Sequence, residues 1–322
     1  MQYSQTDRTA DAIASRRAEI LVEALPWIKA TTGKTVVIKY GGAAMTSARL
    51  RDAIVSDIVL MKLVGLNPIL VHGGGKAISQ MCEALDVPVS FKNGMRVTDD
   101  ATMEVVKMVL IGKVNQELVD AVNVHGHLAV GLSGADAHIM KATQLDPELG
   151  RVGEVSEIDT TLIEDLIAAD YLPVIASVAS GEDGKSYNVN ADLAAGAIAA
   201  AIGAQKVIFL TDVDGLYRDF SDKSTLISSM TLSEAEQLVE SGELSKGMIP
   251  KITACTEALS AGVARAYILN GTSPHAMLLE MFTDTGIGTM ITNDAGRADS
   301  DFEEFPMTNL ASKIAAEEED ED

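Results

Sequence analysis

The sequence predicts an α/β fold: a mostly parallel sheet covered on both faces by helices. Three observations carry this. Short apolar runs rich in Val, Ile and Leu recur along the chain, as in strands buried on both faces. Stretches of helical periodicity separate them, the pattern of parallel strands joined by crossovers. Two runs end in glycines, T-V-V-I-K-Y-G-G at 35–42 and V-H-G-G-G at 71–75. Those turns fall at the carboxyl ends of strands, where such sheets bind ligands.

In chain order, 9–30 reads as a helix with Ile13, Ile20, Leu21, Ala24, Leu25 and Ile28 on one face. Arg17 joins that face through its aliphatic stem, and Pro26 breaks the helix near Leu25. The helix precedes the first strand, so it adds to the sheet and does not cross it. Either its own domain or a second subunit covers its apolar face. After strand 35–40 come helix 47–64, strand 68–71 and helix 77–85. Thr98, with Asp99 and Asp100, caps a long amphipathic helix reaching about Val124. Strand 128–132, polar hairpin material to about 155, helix 159–169 and strand 171–178 follow. Asn190 starts an alanine-rich helix, and strand 206–211 ends in T-D-V-D-G. Helices 233–240 and 248–261, strand 266–270, helix 274–282 and strand 289–292 complete the pattern.

The 322 residues are 47% hydrophobic but only 4% aromatic, so the core is mostly Ala, Val, Ile, Leu and Met. That length holds one large α/β domain or two medium ones. A net charge of −22 argues against nucleic acid or anionic membrane as partner. Positions 299–322 hold ten acidic residues against one lysine, −9 of the −22, and read as a solvated, disordered tail. No apolar run nears the ~20 residues of a membrane helix. The opening M-Q-Y-S-Q-T-D-R lacks a signal peptide's pattern, and the distant Cys82 and Cys255 fit a reducing cytoplasm.

A lysine near the end of a buried strand is costly unless the strand opens onto a polar site. Lys39 followed by Gly41 and Gly42 therefore reads as an anion site, phosphate first, or else as an edge-strand lysine before an ordinary turn. Gly73, Gly74 and Gly75 add a second set of backbone donors, with His72 beside them as a structural residue bonding backbone. Two nucleotide decoys fail. Ile78 replaces the third glycine of a dinucleotide motif, and Glu182 and Asp183 sit where a phosphate loop at 179–186 needs donors. Unit charges 4 Å apart interact by ~4 kcal/mol at intermediate dielectric, so E-D-G-K is a hairpin turn. Arg96, just past a turn in N-G-M-R-V-T, suits a carboxylate. Asn188, Asn190 and Asp192 surround a helix start, where Asn190 also suits an N-cap, and Lys251 lies about one turn into another helix.

V-I-K-Y-G-G, V-H-G-G-G, K-N-G-M-R-V-T, Y-N-V-N-A-D, L-T-D-V-D-G-L and G-M-I-P-K follow one another between about Leu25 and Thr292. In that order they resemble the amino acid kinase family, and most closely its arginine-biosynthesis branch; the acidic tail lies outside the resemblance. The resemblance implies an open, mainly parallel α/β/α sandwich with an added N-terminal helix. It implies ATP-dependent phosphorylation of the γ-carboxylate of N-acetyl-L-glutamate, with Mg²⁺ brought by the nucleotide and no dedicated metal site. Residues 1–30 would be an oligomerisation helix, 31–180 the substrate lobe, 181–298 the ATP lobe and 299–322 the tail. Lys39 and Lys251 would hold the transferring phosphoryl group, with Asp192 fixing both. Gly74, Gly75, Arg96, Asn188 and Asn190 would bind substrate; Gly41, Gly42, Thr211, Asp212, Gly215 and Tyr217 would serve the nucleotide. Arginine-inhibited members carry such a first helix and assemble as hexamers. By that likeness Trp27, His275, Glu280, Gly286 and Gly288 form an arginine site. Glutamate 5-kinase, aspartokinase, carbamate kinase and uridylate kinase are the near rivals, and a silent sensor on the same fold is the alternative from another class.

Overall fold

The computed structural model describes residues 19–293 except 43–44, 46, 220, 242–243, 245–247 and 284–285. The acidic tail and residues 9–18 of the first helix, Ile13 and Arg17 included, therefore lie outside the described residues. Along the chain come α1 (Leu25–Thr31), β1 (Thr35–Tyr40), α2 (Ala48–Leu63), β2 (Asn67–His72) and α3 (Gly75–Ala84). The hairpin of β3 (Phe91–Lys92) and β4 (Met95–Arg96) follows. Next is a long helix made of α4 (Asp100–Lys107), a π-helical stretch (Met108–Asn115) and α5 (Gln116–Asn123), then β5 (Ala129–Ser133). The middle holds β6 (Met140–Gln144), β7 (Val152–Ile158), α6 (Thr161–Ala168), β8 (Leu172–Ala176), β9 (Val178–Ser180), β10 (Ser186–Val189), α7 (Ala191–Ala201) and β11 (Lys206–Thr211). Last come β12 (Leu216–Tyr217), β13 (Leu226–Ile227), β14 (Ser229–Thr231), α8 (Leu232–Glu240), α9 (Ile249–Ser260), β15 (Arg265–Asn270), α10 (Ala276–Phe282) and β16 (Thr289–Thr292).

Eight strands form one sheet in the order β14-β16-β15-β11-β1-β2-β8-β5, parallel throughout except at β15–β16. This is the expected mostly parallel sheet, with β1 near its centre. Its two faces carry separate cores. Val36, Ile38 and Tyr40 point into one, and Val37 points into the other beside the alanines of α7. Small side chains on α7 let it lie close to the sheet.

Four differences from the sequence reading have local causes. The cap of the long helix is Asp99, whose carboxylate accepts from Thr102 N–H at 2.7 Å. The Thr98 hydroxyl instead donates to the Arg96 carbonyl at 2.9 Å. The helix itself is interrupted by the π-helical stretch, which apolar periodicity does not reveal. The strand expected over 171–178 is two, because the chain leaves the main sheet after Ala176 and β9 joins β6, β7 and β10 in a small closed barrel. The short strands β12, β13 and β14 have too few residues for alternation to mark them. The first helix breaks where Pro26 predicts, turning at Ala24 before α1.

Candidate active site

Strand alternation decides where Lys39 points. Val37 belongs to the α7 face of the sheet, and Lys39, two residues on, emerges on the same face. Asn190 caps α7: its Oδ1 accepts from the N–H groups of Asp192 at 2.8 Å and Leu193 at 3.3 Å. That cap sets Asp192 in the first turn, facing Lys39. Helix α9 runs against α7 so closely that a Cβ on Gly196 would lie 2.9 Å from the Ala254 carbonyl oxygen. Only glycine permits this approach. Asp192 lies one turn before Gly196 and Lys251 one turn before Ala254, so the helix contact brings those two side chains together.

The result is a buried carboxylate between two ammonium groups. Lys39 Nζ is 3.0 Å from Asp192 Oδ1, and Lys251 Nζ is 3.0 Å from Oδ2. Burial lowers the Lys39 pKa below the ordinary lysine value, Asp192 opposes it, and the neighbouring Lys251 ammonium adds to it. For Asp192, burial pushes the other way, but the two ammonium groups outweigh it and hold the carboxyl below the ordinary range. One anion for two cations leaves the trio with spare positive charge.

The trio lies on a cavity of about 890 Å³ that is also lined by Gly41, Gly42, Gly74, Gly75, Arg96, Asn188 and Asn190. Arg96 reaches it from the β3–β4 hairpin, where Asn93 and Gly94 take the positive φ values (54° and 82°) that a two-residue turn demands. Its Nη2 donates to the Gly75 carbonyl at 2.8 Å and Ser79 Oγ at 2.7 Å, and its guanidinium sits 4.9 Å from the Phe91 ring centroid. Its Nη1 is buried without a protein partner, and no carboxylate pairs with it among the described residues. A buried guanidinium with an unused donor is prepared for an anionic ligand. Asn188 Nδ2 donates to Thr98 Oγ1 at 3.2 Å, which ties the barrel to the backbone behind Arg96.

The other expected residues fall into two separate groups. Thr211 ends β11, Asp212, Gly215 and Tyr217 lie past its carboxyl end, and none of the four lines this cavity. There Tyr217 OH donates to Asp214 Oδ2 at 2.6 Å, Asn270 Nδ2 donates to Oδ1 at 2.7 Å, and a Cβ on Gly215 would strike Thr289 Oγ1 at 2.4 Å. Glu280, Gly286 and Gly288 meet at the end of α10: Glu280 Oε2 accepts from Ile287 N–H at 2.8 Å and Gly288 N–H at 3.3 Å. His275 precedes the same helix, and Trp27 is on α1, which packs against it. Sequence reasoning missed Asp57, which meets His275 at 2.6 Å across 218 positions of chain, and Ser79 and Thr98 in the roles given them here. His72 is structural, as expected: its Nδ1 lies 3.0 Å from the Gly73 carbonyl.

The amino acid kinase family pattern matches residues 34–270, a span that includes Lys39, Arg96, Asp192 and Lys251. This chain belongs to the amino acid kinase family. Among curated family relatives, the acetylglutamate kinase of Caldanaerobacter subterraneus subsp. tengcongensis is 52% identical over 277 residues, 85% of this chain and 93% of that protein. The acetylglutamate kinase of Thermosynechococcus vestitus is 49% identical over 289 residues, 89% of this chain and 98% of that protein. Of solved structures, the N-acetylglutamate synthase from Neisseria gonorrhoeae complexed with coenzyme A and N-acetyl-glutamate aligns with a TM-score of 0.76 at 26% identity, covering 86% of this chain and 64% of that one. The carbamate kinase from Giardia lamblia bound to AMP-PNP aligns at 0.61 with 19% identity, covering 82% of this chain and 100% of that one, which speaks for the family fold alone.

Proposed function

We infer that this chain transfers a phosphoryl group from ATP to the γ-carboxylate of N-acetyl-L-glutamate, giving N-acetyl-L-glutamyl 5-phosphate and ADP, a step of arginine biosynthesis. The observation that carries the reading is the Lys39–Asp192–Lys251 trio facing the same cavity as the unpaired Arg96 donor. The relatives named above supply the substrate.

The chemistry follows from charge. A free γ-carboxylate, with pKa ~4.3, is ionised at neutral pH and needs no general base. Its difficulty is approaching a triphosphate of the same sign. Lys39 and Lys251 offset that repulsion and stabilise charge on the oxygens in flight, while the turns at 41–42 and 73–75 offer backbone N–H groups. Arg96 and Asn188, with Asn190, hold the substrate's α-carboxylate and acetamido end. Both oxygens of Asp192 are already committed to ammonium groups, so this carboxylate is not free to bind a metal. Mg²⁺ would then be brought by the triphosphate and would supply further positive charge there.

The residues past β11, with the segment before Lys251, take the adenine nucleotide, so 31–180 works as the substrate lobe and 181–298 as the ATP lobe. The enzyme works in the cytoplasm; among the described residues no helix is long and apolar enough to cross a membrane. Residues 1–30 join copies into a hexamer. Ile20, Leu21, Val22 and Leu25 support this, since Leu21 is 69% exposed and Leu25 49%, leaving an apolar stripe that the described residues of its own chain do not cover. Arginine binds between His275, Glu280, Gly286, Gly288 and Trp27 as inhibitor; Glu280 at the end of α10 supplies an anion for its guanidinium.

Coupled ADP release measured with N-acetylglutamate, glutamate and aspartate tests the activity, and turnover with either unacetylated substrate but not the first would overturn it. Deleting residues 1–30 is expected to leave turnover intact and abolish hexamers by light scattering. Hexamers that survive the deletion refute the role of the helix.

A further inference from the structure

Beneath the glycine turn lies a buried polar contact that the reaction as described does not use. The π-helical stretch turns Asn115 inward, where it is 5% exposed, toward the carboxyl ends of three adjacent strands. Its Nδ2 lies 2.8 Å from the Val174 carbonyl of β8, 3.1 Å from the Leu132 carbonyl of β5 and 3.0 Å from Nε2 of His72 on β2. Gly131 leaves the space, since a Cβ there would sit 2.1 Å from Asn115 Oδ1. Leu110 and Val114 of the same stretch pack beneath Gly74, where a Cβ would come within 2.6 Å of Leu110 Cδ2.

The chemistry of these contacts determines a proton position. Two backbone carbonyls can only accept, so the Asn115 atom facing them is the amide nitrogen. That nitrogen has two protons and no lone pair to offer, so His72 Nε2 can meet it only as an acceptor, sharing a proton with one of the carbonyls. The ring proton therefore lies on Nδ1, which donates to the Gly73 carbonyl at 3.0 Å. Both ends of the imidazole give the same answer. His72 is fully buried, and burial pushes its pKa down to about 4 against the opposing pull of the Gly73 carbonyl, which keeps the ring neutral.

We propose that Asn115 is a positioning residue for phosphoryl transfer: it locks His72 in the Nδ1–H tautomer, and that N–H holds the Gly73 carbonyl and with it the 73–75 turn that lines the cavity. The proposal rests on the kinase reading, because the turn's donors matter only if charge develops against them. A carboxylate at 115 accepts and cannot donate, so Asn115→Asp draws the ring proton to Nε2 and releases Gly73.

The test combines long-range proton–nitrogen NMR of the ¹⁵N-histidine-labelled protein, which reads the tautomer, with steady-state kinetics on N-acetylglutamate and ATP. In the unaltered protein His72 is expected as Nδ1–H. In Asn115→Asp that signal is lost, kcat falls at least tenfold, and both KM values stay within threefold. His72→Asn keeps a donor at the Nδ1 position and is expected to retain at least fivefold more kcat than His72→Gln, which does not; this pair decides the matter should Asn115→Asp fail to fold. An Nε2–H ring in the unaltered protein, a proton shift in Asn115→Asp with kcat within threefold, or equal activity in the two His72 variants would each overturn the proposal. The NMR result stands whatever the unaltered protein phosphorylates, so failure of the kinase reading shows separately, as absent ADP release by the unaltered protein.

Discussion

Two buried aspartates sit on opposite sides of this sheet, and their partners give them opposite behaviour. Asp192 has an ammonium group on each oxygen and is held ionised below the ordinary carboxyl range. Asp57 is 1% exposed, meets His275 through one oxygen and, among the described residues, has no partner on the other, and burial pushes its pKa up to about 6. Desolvation acts on both. What separates them is the number of opposite charges that topology delivers: β1 and α9 each supply a lysine to Asp192, while α2 reaches a single imidazole. The first is an electrostatic fixture that does not change state near neutral pH. The second sits close to a change of state under ordinary conditions.

The comparison breaks most visibly at Asp192. Asp192→Asn removes the anion that keeps Lys39 and Lys251 together, leaving two like charges to separate or lose a proton. Turnover is expected to fall by about 10³-fold or more, roughly 4 kcal/mol of barrier. ADP release measured alongside circular dichroism checks this, and a folded variant with near-normal turnover would remove the trio from the mechanism. No such rate effect is expected at Asp57, which does not line the cavity.

The two carboxylates also differ in how far sequence could reach them. Lys39, Asp192 and Lys251 each sit in a short motif at a strand end or helix start, where glycines and an N-cap mark an open site. Their convergence then follows from alternation on β1 and the close approach at Gly196. Asp57 lies inside a helix with no motif around it, and its partner is 218 positions away, so no local pattern announces the pair. Asn115 was hidden for another reason. A π-helical stretch rotates the residues after it relative to an α-helix, so the wheel drawn from the sequence does not show which face it takes. Strand and helix placement was legible because long buried strands have strong composition; β12, β13 and β14 are held by tertiary pairing and carry little of it.

At Asp57 the expected signature is a pH dependence of stability. The folded pKa, about 6, stands above the ordinary aspartate value of 3.8. The folded state therefore holds this proton more tightly, and the resulting stabilisation is present below about pH 4 and lost as pH rises through 6. Asp57→Asn cannot titrate, so its stability relative to the parent should climb by about 3 kcal/mol between pH 4 and pH 7 and level off above. Urea unfolding across that range measures it. A flat difference would mean that the carboxylate is solvated in the folded state after all.

The smallest effect sharpens the comparison from the partner's side. His275 holds a left-handed backbone (φ 59°) ahead of α10, and its side chain is 56% exposed, so the bond to Asp57 is partly screened. His275→Ala removes the one group opposing the desolvation of Asp57. Above pH 6, where the carboxylate is ionised, the loss should cost about 1 kcal/mol after allowance for that screening. Below pH 5 the carboxyl is protonated and the penalty should shrink toward zero. Removing Lys251 from Asp192 would show no such convergence in this range, because Lys39 keeps that carboxylate charged. A His275→Ala penalty that stays constant from pH 5 to pH 8 would show that Asp57 does not change state there, and the contrast between the two carboxylates would collapse into one of geometry alone.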